Sequence, residues 1–183
     1  MKKHTGFRLM TFIFLLLSAL LHGCVQPVET DQPGASTTGS SDPTGSVVEY
    51  RDTELGFSFS LPAGWEGFSV RSGQWQGLKS ADQGDQIVAQ GPTVSIVHPK
   101  STAEHPRQDI PIMVFTIPQW DQMQAGEWHV GAAPILPLEL GRNSRYVFAL
   151  PARYNYAFPD GWEEVEQILQ EDPLVTFKPK SNP

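Results

Sequence analysis

Cysteine is nearly absent from this chain, which has one cysteine among its 183 residues. A single cysteine excludes an intrachain disulfide. The most apolar stretch, residues 12–21, is shorter than the roughly 20 residues that a membrane-spanning helix needs. Common catalytic and phosphate-binding motifs are also missing, namely Gly-x-Ser-x-Gly, His-Glu-x-x-His and Gly-x-x-x-x-Gly-Lys. The sequence therefore specifies no activity by motif.

The N-terminal segment, residues 1–23, has the layout of a secretory signal peptide. Three basic residues form its start, residues 12–21 form an apolar centre, and the small Gly23 precedes a candidate cleavage site. We predict that this segment is cleaved. The alternatives are an uncleaved membrane anchor and a buried N-terminal helix.

Cys24 follows this segment in a pattern that resembles a bacterial lipoprotein signal. Leu21 stands three residues before the cysteine and Gly23 stands immediately before it, whereas His22 departs from the usual small or apolar residue. We predict that the Cys24 thiolate accepts diacylglycerol and that its amine is acylated, with palmitate as the acyl chain. Two or more chains anchor firmly, so the membrane is the expected partner. The alternative is a free thiol in a secreted protein.

Basic residues become scarce once the leader is removed. The chain has 13 Lys and Arg against 20 Asp and Glu, and three of the bases lie in residues 1–23. The 10 that remain give the mature chain a formal net charge of −10. Such a charge repels nucleic acid and anionic headgroups, so attachment must come from the lipid. The domain would face the periplasm or the exterior, and Val25, which is not an acidic retention signal, favours the outer membrane in cells that have one.

A linker and one domain are expected after Cys24. Residues 24–48 are rich in Gly, Ser, Thr, Pro and Asp, which predicts a disordered linker with an end-to-end distance of about 25–30 Å. A structured N-terminal arm is the alternative. The remaining residues, 49–183, have the usual size of one domain.

The domain is predicted to be α+β, with a mainly antiparallel sheet and a C-terminal helix packed on one face. Phe57, Phe59 and Leu61 alternate with polar residues and indicate a half-buried strand, with Trp65 beyond it as a core residue. Further strands are predicted at 93–97, 108–116, 144–150 and 152–158, the 108–116 strand being central and buried on both faces. Residues 71–91 are predicted to form a long loop with one weak strand at 86–88.

Two helices are predicted. The first spans residues 119–126. The second, residues 160–172, is expected to begin with a capping pair of Asp160 and Glu163. Residues 174–177 then form either a last strand or a tail on the sheet.

The segment Tyr50, then Gly56–Trp65, resembles the opening of PsbP-like domains, where an aromatic residue precedes a "GF-x-F-x-x-P-x-x-W" strand and turn. Residues 106–111 and 141–151 resemble segments of bacterial lipoproteins of unknown function. The resemblance implies an antiparallel sheet flanked by helices. It also implies an accessory or binding role, as in photosystem II extrinsic subunits and a small-GTPase-release factor. No ligand residue of those proteins matches a position here.

A basic and aromatic patch is the candidate ligand-binding site. It comprises three arginines and three tyrosines: Arg142, Arg145, Arg153, Tyr146, Tyr154 and Tyr156. Arginine and tyrosine suit small anionic or sugar ligands, and on paired strands Arg145 and Arg153 would share one face. In the alternative, the six acids of the 160–172 helix pair with these arginines as structure.

Metal binding and catalysis receive less support. His98, His105 and His129, with Glu104 and Asp109, match no zinc signature, so no metal and no cofactor are predicted. We expect a membrane-anchored, non-enzymatic accessory or binding module whose partner is an envelope protein or a small ligand. A hydrolase of envelope or extracellular substrates is the alternative, since a cleft is not visible in a sequence.

Overall fold

Nine β-strands and two α-helices occupy residues 47–82, 84–131 and 135–180, which are the residues that the structure, a computed structural model, describes. The strands are β1 (Val48–Asp52), β2 (Phe57–Leu61), β3 (Ser69–Ala81), β4 (Gly84–Val97), β5 (Ile110–Thr116), β6 (His129–Val130), β7 (Leu138–Arg142), β8 (Tyr146–Leu150) and β9 (Leu174–Thr176). The helices are α1 (Ile117–Gln124) and α2 (Trp162–Gln170). The predicted signal peptide, Cys24 and the linker as far as residue 46 lie outside the described residues.

The strands form two antiparallel sheets. One has the order β1-β2-β9 and the other has the order β6-β3-β4-β5-β8-β7. The predicted combination of antiparallel sheet and C-terminal helix is confirmed at this level. Strand β1 begins at Val48, one residue before the predicted start of the domain.

Strand β5 separates two hydrophobic cores, as its nearly continuous apolar sequence predicts. Ile110, Ile112 and Val114 face a core that includes β2 and α2. Met113 and Phe115 face a second core that includes α1. Both faces of β5 are therefore covered.

The first core confirms the predicted strand and core residue near the start of the domain. Phe57, Phe59 and Leu61 of β2 are buried, and Trp65 is fully buried in the short 3₁₀ turn that follows. Strand β9 pairs with β2 on the opposite side from β1, with Leu174 opposite Phe59. Residues 174–176 are thus a strand, one of the two predicted alternatives.

The prediction of a long loop at residues 71–91 is wrong, because β3 and β4 form a hairpin of 13 and 14 residues. Two of the four glycines in this segment accommodate aromatic rings. A β-carbon at Gly77 would lie 2.5 Å from the Trp128 ring, and one at Gly91 would lie 2.6 Å from the Trp75 ring. Glycine here permits close approach of a ring to a strand.

The predicted strand at residues 152–158 is also wrong. These residues form consecutive turns in which Tyr156 N–H donates to Arg153 O and Phe158 N–H donates to Asn155 O. Both edges of β8 are already paired, with β5 and with β7. The chain therefore has no free edge of β8 on which to continue as a neighbouring strand.

Both predicted helices form, but α2 begins differently from the prediction. Helix α1 has a capping box in which Thr116 and Gln119 bond each other reciprocally. Helix α2 has Gly161 rather than Asp160 at its N-cap, with φ +83° and no side-chain cap. The guanidinium of Arg107 fills the space beside Gly161, where a β-carbon would lie 2.6 Å from Nη2. A side chain at that position would collide with Arg107.

Candidate functional site

A groove of about 660 Å³ lies between α2 and the adjacent ends of β1, β2 and β9. Leu61, Pro62 and Ala63 form one wall. This volume is within the range of typical ligand pockets. We call it the α2 groove. Its other lining residues are Val47, Ser60, Glu164, Gln167, Ile168, Glu171, Asp172, Pro173 and Val175.

Helix α2 and its C-cap residue supply the second wall, because their sequence places four groove residues on one face. Glu164, Gln167, Ile168 and Glu171 follow the spacing i, i+3, i+4, i+7. Ile168 is 7 % exposed and connects the groove to the first core, whereas the other three provide polar groups. The groove therefore has an apolar floor and an acidic rim.

Glu164 is the one rim acid whose carboxylate is satisfied within the protein. Its Oε1 accepts from Trp65 Nε1 at 3.1 Å, and its Oε2 accepts from Arg107 Nη2 at 3.0 Å. The ion pair is partly exposed, so it contributes little beyond fixing the side chain. Glu164 thus has a structural role at the inner end of the groove.

Glu171 and Asp172 provide the negative charge of the groove that is not compensated by an ion pair. In the described parts of the chain neither is within ion-pair distance of a basic group. Both follow the C-terminus of α2, where unsatisfied carbonyls already give a partial negative charge. Asp172 also has φ +48°, in the left-handed region. This end of the groove is therefore negative and suited to a cationic group.

The buried His98 lies close to the hydrogen-bonded Glu164. The His98 ring packs against Trp65 with centroids 4.9 Å apart, and its Nδ1 accepts from Lys100 N–H at 3.0 Å. Burial lowers the pKa of His98, and Arg107 lowers it further, while Glu164 acts in the opposite direction. The neutral ring, with its proton on Nε2, fits this environment.

The structure does not bring the six predicted patch residues together. Arg142, Arg145 and Tyr146 lie at the β7–β8 turn. Arg153, Tyr154 and Tyr156 follow the other end of β8. A five-residue strand, about 13 Å from first to last residue, separates the two groups. The expectation that Arg145 and Arg153 share one face of paired strands is wrong, since the second strand does not form.

The expectation that these arginines pair with acids of α2 is also wrong, because a different arginine pairs with the helix. Arg142 forms a two-bond pair with Glu139, with Nε–Oε1 2.7 Å and Nη2–Oε2 2.6 Å. Hydrogen bonding from Arg142 lowers the pKa of Glu139. Across the described ranges, Arg145 and Arg153 are in no ion pair, and the arginine that reaches α2 is Arg107.

The three tyrosines of the predicted patch differ in burial. Tyr146 and Tyr154 pack against the first core, and burial raises the pKa of Tyr154. Tyr156 is 76 % exposed, in the turns that precede α2. Phe158 is exposed beside it, and its ring contacts Trp162. We call residues 153–162 the aromatic loop.

The histidines considered as metal ligands are dispersed. His98 is buried, His105 is in an exposed loop, and the His129 ring bonds Gly131 O at 2.7 Å. Within the residues described, no three histidine, cysteine, aspartate or glutamate side chains are grouped closely enough to hold a metal ion.

The sequence interpretation missed the α2 groove and the part that Phe158 and Trp162 have in the aromatic loop. The available signal for the groove was the concentration of acids, with no base, in residues 160–172. The same acids also fit a pairing with the arginines, which is the alternative stated in the sequence analysis. The positions of the β2 and β9 ends, which complete the groove, depend on tertiary structure.

Helices long and apolar enough to cross a membrane are not found in the described residues. No protein-family model matches the chain, and neither the curated proteins nor the solved structures include a match to it.

Proposed function

We propose that this protein is a lipid-anchored lipoprotein of the bacterial cell envelope, with a PsbP-like domain that acts as a non-enzymatic binding module. Cys24 would hold the lipid, and the domain would face the periplasm or the exterior, at the outer membrane in cells that have one. The Gly56–Trp65 segment supports the PsbP-like assignment, because it forms β2, a turn and a buried tryptophan.

The α2 groove is the proposed binding surface, and a segment of a partner protein of the envelope is its proposed occupant. The main supporting observation is an apolar floor that ends at Glu171 and Asp172, neither of which forms an ion pair in the described chain. A segment with one or two apolar side chains next to a lysine or arginine complements both features. A small anion is disfavoured here by charge.

A serine-type hydrolase, one form of the hydrolase alternative, would need a hydroxyl nucleophile beside a histidine base. In the ranges that the structure describes, no hydrogen bond joins a histidine ring to a serine or threonine hydroxyl. The apolar floor and acidic rim of the α2 groove support binding, and binding is what we propose.

A photocrosslinking amino acid in place of Gln167 tests the groove in the native host. We expect it to capture one envelope protein through a segment that contains lysine or arginine, identified by mass spectrometry. Glu171→Gln with Asp172→Asn should reduce capture at least tenfold, because the cationic group loses its counter-charge. Raising the salt concentration should have a similar effect.

The matched control removes the same charge elsewhere. Asp121→Asn with Glu127→Gln changes two exposed acids in and just after α1, and capture should be unchanged. Equal loss in both double variants, or a captured segment without a basic residue, would overturn the groove assignment.

The lipid anchor needs a separate test. Mass spectrometry of protein from native membranes should show Cys24 as the N-terminal residue, carrying diacylglycerol and an acyl chain. Cys24→Ser should move the protein out of the membrane fraction. A free thiol at position 24 in protein recovered from cytosol or medium is incompatible with the proposal.

A further inference from the structure

The aromatic loop presents large apolar rings to solvent. Tyr156 is 76 % exposed and Phe158 is 63 % exposed. Trp162 is half-buried and supports Phe158 in an edge contact, with ring centroids 5.1 Å apart and planes at 72°. Tyrosine and tryptophan combine an apolar ring with a polar tip, and they are the residues enriched where a bilayer meets water.

Hydrogen bonds hold the backbone of the aromatic loop in a defined conformation. Successive turns are closed by hydrogen bonds of 2.9–3.1 Å, one of which runs from Trp162 N–H to Pro159 O. Asn155 Nδ2 donates to Glu166 Oε1 at 2.9 Å and ties the loop to α2. Arg153 and Phe158 have φ of +58° and +47°, a strained conformation for side-chain-bearing residues. The backbone that carries the exposed rings is therefore already ordered, so their binding costs little further backbone entropy.

The charges around the loop select one kind of bilayer. Arg153 is exposed and in no ion pair within the described chain, so it can meet a lipid phosphate. Asp160 and Glu163 are also exposed nearby, and they oppose a strongly anionic surface. A zwitterionic headgroup layer matches this mixture.

The proposed anchor keeps the loop close to such a surface. Cys24 and Val47 are separated by 23 residue steps, which reach at most about 80 Å when fully extended. A domain confined to that distance has a high effective concentration at the bilayer surface.

We infer that the aromatic loop is a membrane-contact surface, which places Tyr156 and Phe158 among zwitterionic headgroups and so orients the domain on its own bilayer. This inference rests on the proposed lipid anchor. It assigns the loop to the lipid surface and leaves the α2 groove for a protein partner.

Tryptophan fluorescence tests the inference because four of the five tryptophans are buried. Their exposed fractions are 0 % for Trp65, 5 % for Trp75, 5 % for Trp120 and 6 % for Trp128. The mature lipidated protein is reconstituted into vesicles of phosphatidylcholine and phosphatidylethanolamine that carry bromine near the headgroup end or near the tail end of the acyl chains. We expect bromine near the headgroups to quench part of the emission, and Trp162→Phe to remove that quenched part.

Matched variants separate ring insertion from anchoring. Tyr156→Ser with Phe158→Ser should reduce the quenching at least twofold while the protein still floats with the vesicles. Ile87→Ser, which removes an exposed apolar side chain from the β3–β4 hairpin, should leave quenching unchanged. Near-ultraviolet circular dichroism of each variant verifies that the fold is retained.

The outcomes for the anchor and for the loop are distinguishable. Lipidated protein that fails to float would contradict the proposed anchor. Protein that floats with unquenched emission would overturn the inference about the loop and leave the anchor intact, and the exposed rings would then be assigned to a protein partner. Equal quenching in the Tyr156 and Phe158 double variant and in the wild type would also overturn it.

Discussion

The indole ring of Trp75 lies directly on the backbone of Gly91, across the β3–β4 hairpin. A β-carbon at Gly91 would lie 2.6 Å from two carbons of the ring and 2.7 Å from its nitrogen. The Trp75 Nε1–H passes this glycine and donates to Val114 O of β5 at 2.9 Å. One side chain of β3 thus joins the hairpin to the central strand, and the absence of a side chain at Gly91 makes this possible.

We predict that Gly91→Ala displaces the Trp75 ring and destabilises the domain by about 1–3 kcal/mol, the usual cost of overpacking a core. Chemical denaturation measures this difference. Gly73→Ala is the matched control in β3, because a β-carbon there would have its nearest neighbour at 3.8 Å, an ordinary contact. Equal stability of the two variants would contradict the proposed role of Gly91.

The contact between Trp75 and Gly91 illustrates why some strands could be predicted from the sequence and others could not. Strand β2 and strand β5 were found because their apolar periodicity coincides with burial in the final structure. The hairpin was missed because Gly77 and Gly91 contact rings of other strands and loops, Trp128 and Trp75, which no local sequence pattern reveals. The period-two pattern at 152–158 suggested a strand, but whether a strand forms there depends on a free sheet edge, and β8 has none.

His98 provides a prediction for mildly acidic pH. Burial and Arg107 lower its pKa below the ordinary value of 6.5, so the unfolded chain binds this proton more readily than the folded one. The stabilisation is present above about pH 6.5 and is lost as the pH falls through the folded-state pKa. We expect the free energy of unfolding to decrease below pH 6.5. Arg107, Lys100 and Glu164 are the charged groups that act on the ring.

His98→Asn is the variant that tests this source of pH dependence. Its amide oxygen can accept the Lys100 N–H in place of Nδ1, and it has no proton to gain. The decrease in stability between pH 6.5 and pH 5 should become smaller in this variant when measured by denaturation at each pH. An unchanged pH dependence would assign the effect to other groups.

Tyr50 provides the corresponding prediction at alkaline pH. Burial, followed by the charge of Asp52 and its hydrogen bond with the phenol, raises the pKa of Tyr50 from 10.0 to about 12. A raised pKa gives stability that is complete below pH 10 and is lost as the pH rises towards 12. We expect Tyr50→Phe to weaken this loss in denaturation experiments. A residual slope should persist through Tyr154, whose pKa is also raised.

The candidate sites were less accessible to sequence analysis than the fold. Arg145 and Arg153 lie eight positions apart, and their predicted proximity required two paired strands. One strand followed by turns places them at opposite ends of β8 instead. The acids of the α2 groove were visible in the sequence, but an acidic helix end becomes a groove only where β2 and β9 end beside it. That juxtaposition joins segments more than 100 positions apart.

Asp172 links stability to binding in the α2 groove. Its carboxylate lies just beyond the negative end of α2 and forms no ion pair in the described chain. Asp172→Asn removes the charge while retaining a residue type that tolerates the observed φ of +48°. We expect the domain to gain about 0.3–1 kcal/mol of stability at low ionic strength, and crosslinking through the groove to weaken.

Asp121→Asn is the control for the expected gain in stability and loss of crosslinking. It removes one charge within α1 rather than beyond a helix end. Its stability should remain within about 0.5 kcal/mol of the wild type, as is usual for surface substitutions, and its crosslinking should be unchanged. Loss of stability in Asp172→Asn would mean that the carboxylate has a structural partner. A gain in stability without loss of crosslinking would separate Asp172 from the binding surface and leave Glu171 as the acid that selects a cationic occupant.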